Sequence, residues 1–317
     1  MKILVINPGA TSTKIAVFDG ENEIFRSSVE HAAQDLAHFE HVADQMPYRK
    51  ALILKALDEG GVSLSSLDAI CGRGGLLRHI PSGTYLVTDR VIEDILHPFY
   101  GEHAANLGAY IARELADPLG IPAFFVDPVC VDELTELARV SGLKGIERES
   151  FFHALNQKSV ARKTAKALGK AYEDVNLIVL HLGGGVSVAA HEKGRVVDNY
   201  NVKDDGSMGL DRPGALPVNA VVNLCFSGKT KKEIKKLIGS EAGVYSYLGT
   251  KDFREIECRA FSGDAEANLI FRALAYQLSK DAGAMAAVMH FDVDAIALTG
   301  GMAYSERFCE EISSYLK

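Results

Sequence analysis

The sequence predicts an α/β protein made of two duplicated lobes that face each other across a cleft. Three observations carry this expectation. Runs of β-branched residues flanked by Gly or Pro alternate with stretches of helical periodicity, the pattern of strands separated by helices. The chain has 317 residues, about twice the length that one hydrophobic core usually serves. A strand ending in a Gly-containing turn also recurs, in the same order, in both halves of the chain.

Strands are expected at 2–6, 14–18, 69–72, 122–126, 177–182, 186–190 and 295–298. Between them, Leu107, Ile111 and Leu115 recur at every fourth residue before Pro118 and Gly120 stop the helix. Ile270, Leu274 and Leu278 do the same inside a long segment over 264–290. The repeat is explicit. Residues 3–9, Ile-Leu-Val-Ile-Asn-Pro-Gly, align with residues 177–183, Leu-Ile-Val-Leu-His-Leu-Gly, at an offset of 174, and both copies continue into a second strand and a turn, at Gly20 and Gly194. Residues 68–75, Asp-Ala-Ile-Cys-Gly-Arg-Gly-Gly, align with residues 294–301, Asp-Ala-Ile-Ala-Leu-Thr-Gly-Gly, at an offset of 226, so the second half carries 226 − 174 = 52 additional residues. The lobes are expected at 1–150 and 151–317. A tight turn between two strands presents consecutive backbone N–H groups to an anion, and glycine lets the anion come close. One such turn per lobe suits a polyphosphate gripped from both sides.

Composition narrows the partners. Lys and Arg total 34 against 42 Asp and Glu, a net charge of −8, which repels a phosphodiester backbone and excludes nucleic acid as the main partner. The five cysteines stand at least 33 residues apart, so no zinc knuckle, redox pair or disulfide framework is legible. The apolar start is too short for a signal sequence, and no stretch reaches the roughly 18 uncharged apolar residues of a membrane helix. A reduced, soluble, cytoplasmic protein without membrane contact is expected. Two tempting motifs fail. Gly228-Lys229-Thr230 lacks the P-loop glycine, because Asn223 occupies its place; residues 229–236 are expected to form an exposed basic helical turn. Residues 183–185 lack the third glycine of a dinucleotide fingerprint, which is Val188, and a strand follows where a helix is required.

The twin-lobe pattern resembles the phosphotransferase superfamily of hexokinase, actin and the seventy-kilodalton heat-shock chaperones, with its ribonuclease H-like lobes. Residues 7–14, Asn-Pro-Gly-Ala-Thr-Ser-Thr-Lys, resemble the N-x-G-S-S-S-x-K signature of the acetate kinase family, with Ala10 and Thr11 in place of serines. His181-Leu182-Gly183-Gly184-Gly185 resembles its H-L-G-N-G loop, Phe151-Phe152-His153 its Y-G-F-H segment, and residues 208–214 its M-G-T-R-S-G segment with one extra residue. Asp252-Phe253-Arg254 is similar to its nucleotide-pocket D-F-R, and Thr299-Gly300-Gly301 matches its T-G-G. Residues 101–115 and 149–158 look most like the butyrate kinase branch. Chains of the family run on past the equivalent of Lys317 through a strand, a Glu-bearing loop and a final helix, so that glutamate has no counterpart here.

The resemblance implies a kinase that uses ATP, or ADP in reverse, with Mg²⁺ to phosphorylate butyrate, and a homo-oligomer. Acetate, propionate and branched acids remain alternatives, as do a sugar or polyol kinase on the same fold and a non-enzymatic nucleotide-dependent clamp. The chemistry is consistent in itself. A carboxylic acid with a pKa of about 4.3 is already ionised at neutral pH and needs no base. What is needed is positive charge around a loose in-line transition state.

Arg73 follows a strand and Arg212 sits in a Gly- and Pro-rich loop; on the resemblance they hold the carboxylate and the migrating phosphoryl group. His153 and His181 donate to its equatorial oxygens, and Asp127, closing a strand, places Mg²⁺. Gly183, Gly184, Gly185 and Ser187 hold nucleotide phosphates, with Asn7 and Lys14 facing them from the first lobe. Asp252, Phe253 and Arg254, with Gly300, Gly301 and Met302, surround the adenosine. Plainer roles stand beside these: His153 in a first helical turn capped by Ser150, His181 as a core histidine, Asp127 as a turn residue before Pro128, and Asp252 in a capping box with Glu255.

Overall fold

The computed structural model describes residues 1–317, which divide into two compact units, 1–131 and 132–317. The first contains β1 (Lys2–Pro8), β2 (Ser12–Asp19), β3 (Asn22–Glu30), β4 (Ala69–Arg73), β5 (Thr84–Leu86) and β6 (Ala123–Val126), in the sheet order β3-β2-β1-β4-β6-β5. β1, β4 and β6 are parallel, β2 and β3 form an antiparallel meander, and β5 runs antiparallel to β6 at the edge. Leu4, Ile6, Ile15, Val17 and Ile70 are buried with Ile53 and Leu57 of the helix Met46–Glu59. The stripe Leu107, Ile111 and Leu115 is buried in the helix Asn106–Ala116, as its spacing predicts. This helix lies so close to β4 that a Cβ on Gly72 would meet Gly108 O at 2.0 Å.

The second unit contains β7 (Asn176–Leu182), β8 (Val186–Glu192), β9 (Arg195–Tyr200) and β10 (Ala295–Thr299), in the order β10-β7-β8-β9. β7 reads as a nearly unbroken apolar run because both of its faces are covered. Leu177 and Val179 pack with Ala161 and Ala165 of the helix Ala154–Ala167, while Ile178, Leu180 and Leu182 pack with Leu274 and Leu278 of the helix Ala265–Val288.

The repeat holds down to single hydrogen bonds. β3-β2-β1-β4 and β9-β8-β7-β10 share order and strand sense. Ile3 pairs with Ala69 and Leu177 with Ala295, as offsets of 174 and 226 require. Asp68 Oδ2 accepts from the Lys2 N–H at 2.7 Å, and Asp294 Oδ2 accepts from the Asn176 N–H at 2.8 Å. Both outer strand pairs also carry a bulge, at Val17/Phe18 and, one position earlier in the repeat, at Ala190/His191.

Three strands lie outside the sequence expectation. β3 and β9 are the outer strands of their meanders and β5 is a three-residue edge strand; β3 carries no apolar run and leaves Ile24 exposed. The expected lobe boundary at 150 also differs from the division after Val131, because residues 132–150 are tied into the second unit. Glu133 Oε2 accepts from Val196 N–H at 2.8 Å, Thr135 N–H donates to Val197 O at 3.0 Å, and Arg148 pairs with Asp198 at 2.9 Å. Thr230 caps the exposed helix Lys231–Ser240 in a capping box with Glu233, so Gly228-Lys229-Thr230 is a helix start, as its missing glycine implied.

Candidate active site

In the first unit, β1 and β2 pair up to Pro8 and Thr13, leaving residues 9–12 as the turn. Asn7 and Lys14 face each other across the strands just below it, both exposed. The turn is held from behind by Arg49, a fully buried guanidinium with no carboxylate partner. Its Nη1 donates to Gly9 O at 2.9 Å and Thr13 Oγ1 at 3.1 Å, its Nη2 to Ala10 O at 3.3 Å, and Gln45 Oε1 takes the other side. Burial lowers the Arg49 pKa from its ordinary value, yet a guanidinium stays charged at any working pH. The turn's carbonyls are thus drawn inward.

Arg73 ends β4 next to this turn, its Nη1 donating to Asn7 Oδ1 at 3.2 Å. It forms no ion pair, and burial lowers its pKa. The loop after it is fixed by Asn106, whose Oδ1 accepts from the Leu76 N–H at 2.7 Å. Asp127 closes β6 in a left-handed conformation, φ +39°, and is buried. Its Oδ1 accepts from the Gly83 N–H at 2.8 Å while its own N–H donates to Gly83 O at 3.1 Å. The turn role is therefore present beside any metal role. No group of three or more His, Cys, Asp or Glu side chains is placed to hold a metal. A single carboxylate does fit Mg²⁺, which characteristically takes one or two carboxylates and completes its shell with phosphate and water.

In the second unit the turn is residues 183–185, bounded by the pair Leu182 and Val186. Phe151 and Phe152 are fully buried and deliver His153, which occupies the N-cap position of the helix Ala154–Ala167 in place of Ser150. Ser150 instead accepts from Asn199 Nδ2 at 2.9 Å. The rings of His153 and His181 stack at 3.7 Å with 13° between their planes, and His181 Nδ1 lies 2.7 Å from Asn156 Oδ1. His181 is thus paired at the strand's end instead of lying in the core. Ser187 is fully buried, its hydroxyl 2.8 Å from His153 Nδ1 and 2.9 Å from Gln157 Nε2.

Arg212 is aimed by a tight turn in which Gly209 N–H donates to Arg212 O at 2.9 Å, and the same loop is bound to the glycine turn by Leu210 N–H to Gly184 O at 3.2 Å. A Cβ on Gly185 would lie 3.2 Å from Arg212 Nη1 and 3.6 Å from His153 Cε1. Arg212 donates to Val202 O at 3.4 Å and makes no ion pair. His153, His181, Arg212 and the three glycines therefore meet at one end of the sheet, where Thr299 pairs with His181. Gly300, at φ +96°, passes so close that a Cβ would meet Leu182 O at 2.4 Å.

Asp252 caps the helix Phe253–Phe261, accepting from Arg254 N–H at 2.9 Å, and its carboxylate also takes the Arg254 guanidinium at 2.8 Å, which holds its pKa at about 2. Glu255 is not its capping-box partner; it accepts from Thr250 Oγ1 at 2.7 Å. Phe253 packs edge-on against Phe308 at 4.8 Å, and Ser305 donates to Glu257 at 2.8 Å. These contacts bring residues 252–254 beside the turn Gly301–Tyr304, where Met302 is buried and Gly301 exposed. Arg49, Asn156, Gln157 and His191 escape the sequence reading, because each acts through a partner distant in sequence or carries no motif.

The sequence profile of the acetokinase family matches residues 140–314, more than half of the chain. The chain belongs to the acetokinase family. Its structure is similar to an acetate kinase from Porphyromonas gingivalis, at 24% identity and a TM-score of 0.79, over 98% of this chain and 86% of that one. It is similar also to a propionate kinase from Francisella tularensis subsp. tularensis SCHU S4, at 20% identity and 0.79, over 99% and 88%. A ROK hexokinase from Thermus thermophilus follows at 18% identity and 0.50, over 100% and 88%. At these identities the likeness is one of fold, and it is the duplicated actin and hexokinase-like fold that the repeat predicts. Membership in the acetokinase family fixes the coarse activity, ATP-dependent phosphoryl transfer to a carboxylate. No helix is long and apolar enough to cross a membrane.

Proposed function

We propose that this acetokinase is a butyrate kinase, moving a phosphoryl group reversibly between ATP and butyrate to give ADP and butyryl phosphate. The observation that carries the chemistry is that Arg73 and Arg212, each beside a glycine-rich strand end, have no carboxylate partner, whereas Arg78, Arg113, Arg139 and Arg148 are each paired with aspartate. A guanidinium left unpaired is a ready fork for carboxylate or phosphate. Butyrate is favoured by the likeness of residues 101–115 and 149–158 to that branch; the similar structures named above are described as acetate and propionate kinases.

In this reading the ionised carboxylate attacks the γ-phosphorus in line. The new O–P bond forms as the bond to the ADP oxygen breaks, and no proton is removed from the acid. Arg73 and Arg212 bind the carboxylate and the migrating group, and His153 and His181 orient its equatorial oxygens. Residues 183–185 hold the phosphates, with Asn7 and Lys14 contributing from the first unit. Asp252, Phe253, Arg254, Gly300, Gly301 and Met302 line the adenosine side. Mg²⁺, carried with the nucleotide, supplies charge neutralisation, and Asp127 is the side chain that would hold it. The same reading makes the enzyme a cytoplasmic homo-oligomer.

Hydroxylamine trapping of the acyl phosphate across C2 to C5 acids, with ATP and Mg²⁺, tests it. Butyrate is expected to give the highest kcat/KM. A preference for acetate or propionate replaces the substrate, and phosphorylation of glycerol or a hexose without any acyl hydroxamate overturns the reading.

A further inference from the structure

We propose that a buried chain of side chains, Tyr172, His191, Gln157 and Ser187, sets the tautomer of His153, keeping Nδ1 as an acceptor and the proton on Nε2. Its purpose rests on the reading of His153 as a donor to the transferring phosphoryl group; its existence does not.

The chain can be solved from its donor and acceptor inventory. Gln157 Nε2 lies 3.1 Å from Ser187 O. A carbonyl can only accept, so the amide nitrogen faces Ser187 and Oε1 faces the other way, toward His191. His191 Nε2, 3.1 Å from Gln157 Oε1, must therefore carry a hydrogen. Its Nδ1 then accepts from the Tyr172 hydroxyl at 2.7 Å. His191 is fully buried, and burial, with Lys158 next, pushes its pKa down to about 3. The charged groups around it are Lys158, which pairs with Glu133 at 2.7 Å, and Arg162. The ring is neutral throughout the working pH range.

At the other end, the second N–H of Gln157 reaches Ser187 Oγ at 2.9 Å, and the backbone N–H of His153 reaches the same oxygen at 3.3 Å. Both lone pairs of Oγ are thereby occupied. Its one hydrogen is left for His153 Nδ1 at 2.8 Å. A ring nitrogen that accepts is unprotonated, so the hydrogen of neutral His153 sits on Nε2. Adding a proton at Nδ1 would bring a third donor to Oγ and leave the serine hydrogen without its acceptor. The ring stacks on His181 at 3.7 Å, and the Arg212 guanidinium, whose Nη1 stands at the same glycine, Gly185, opposes a second cation there. His153 is thus a fixed neutral donor, and positive charge at the phosphoryl group is left to arginine. Ser187 and Gln157 are positioning residues.

The test is the two-bond ¹H–¹⁵N spectrum of the full chain labelled in histidine, with signals assigned from His153→Gln and His191→Gln. At pH 7 the wild type is expected to show both rings as the Nε2–H tautomer. Gln157→Glu replaces the amide donor with acceptors, so Ser187 Oγ turns toward the carboxylate and His153 is expected to switch to Nδ1–H; kcat should fall roughly 10- to 100-fold with the KM for ATP little changed. Gln157→Met, which removes the donor without adding charge, should give a mixture of tautomers. A wild-type His153 that is Nδ1–H or doubly protonated at pH 7 overturns the proposal, as does a Gln157→Glu protein whose His153 stays Nε2–H. If the wild-type tautomers are as stated but no acyl hydroxamate forms with any acid, the relay stands and the functional reading falls.

Discussion

The two glycine turns occupy the same place in a duplicated framework yet are supported by opposite means. The first, residues 9–12, rests on the fixed charge of Arg49, which collects the carbonyls of Gly9 and Ala10. The second, residues 183–185, has no buried cation behind it; neutral side chains order one another there, and the nearby guanidinium of Arg212 is left without an ion pair. The first turn is one residue longer, and its carbonyls are what the protein binds. The second turn lies against His153 and Arg212, where even a methyl group on Gly185 would crowd Val202 at 2.9 Å. The two halves share the strand framework and differ in the polar support of the turn, a fixed buried charge in one and a neutral hydrogen-bonded network in the other.

The largest test of that contrast removes an unpaired guanidinium from each half. Arg212→Ala and Arg73→Ala are each expected to lower kcat by roughly 10² to 10³, the range for losing one donor to transition-state charge. Steady-state kinetics decides it, and near-normal turnover in either variant takes that arginine out of the mechanism. Arg49→Met should act on folding instead. With carbonyls and Thr13 left unsatisfied in a buried site, urea unfolding should show a loss of about 3 kcal/mol; an unchanged midpoint would mean the turn does not depend on its cation.

Gly300→Ala forces a side chain into a left-handed position facing Leu182 O, and a loss of about 2 kcal/mol together with a raised KM for ATP is expected. A pH effect is expected from the second unit. Asp281 accepts the N–H and O–H of Ser207, at 2.7 and 2.5 Å, behind the loop that carries Arg212; burial pushes its pKa up to about 6, with Asp205 raising it further and Lys280 opposing. Because the folded value lies above the ordinary 3.8, this group's contribution is complete below about pH 4 and is lost as pH rises through 6, on the order of 2 kcal/mol. Asp281→Asn should flatten that part of the stability profile; an unaltered slope between pH 4 and 7 would rule the group out. Smallest of all, Gly184→Ala meets no atom within 4 Å and should move stability by less than about 0.5 kcal/mol.

What the sequence disclosed follows from what it encodes locally. The repeat was readable because buried strands and their terminal glycines leave the same letters in both halves, and the pairing of Ile3 with Ala69 and Leu177 with Ala295 keeps the two offsets. The capping role of Asp252 was visible in the sequence, although Thr250 took the partner expected for it. β3 and β5 were not readable, since an edge strand need not bury a face. The polar support of both turns was equally hidden. Arg49 reaches Gly9 across 40 positions and Gln157 reaches Ser187 across 30, so neither leaves a spacing that a motif could capture. The attachment of residues 132–150 to the second unit is hidden for the same reason, as Glu133 and Arg148 find their partners far along the chain.

The aspartates that clamp Lys2 and Asn176 close rings of very different size, 66 and 118 positions apart. Closure entropy grows only with the logarithm of ring length, so the larger ring costs about 0.5 kcal/mol more. That small difference is all the chain entropy that resists lengthening the connection in the second half. A lineage could therefore splice whole helices into this seam, acquiring new surface around an old hairpin, while the strand alignment beneath stayed locked by one carboxylate.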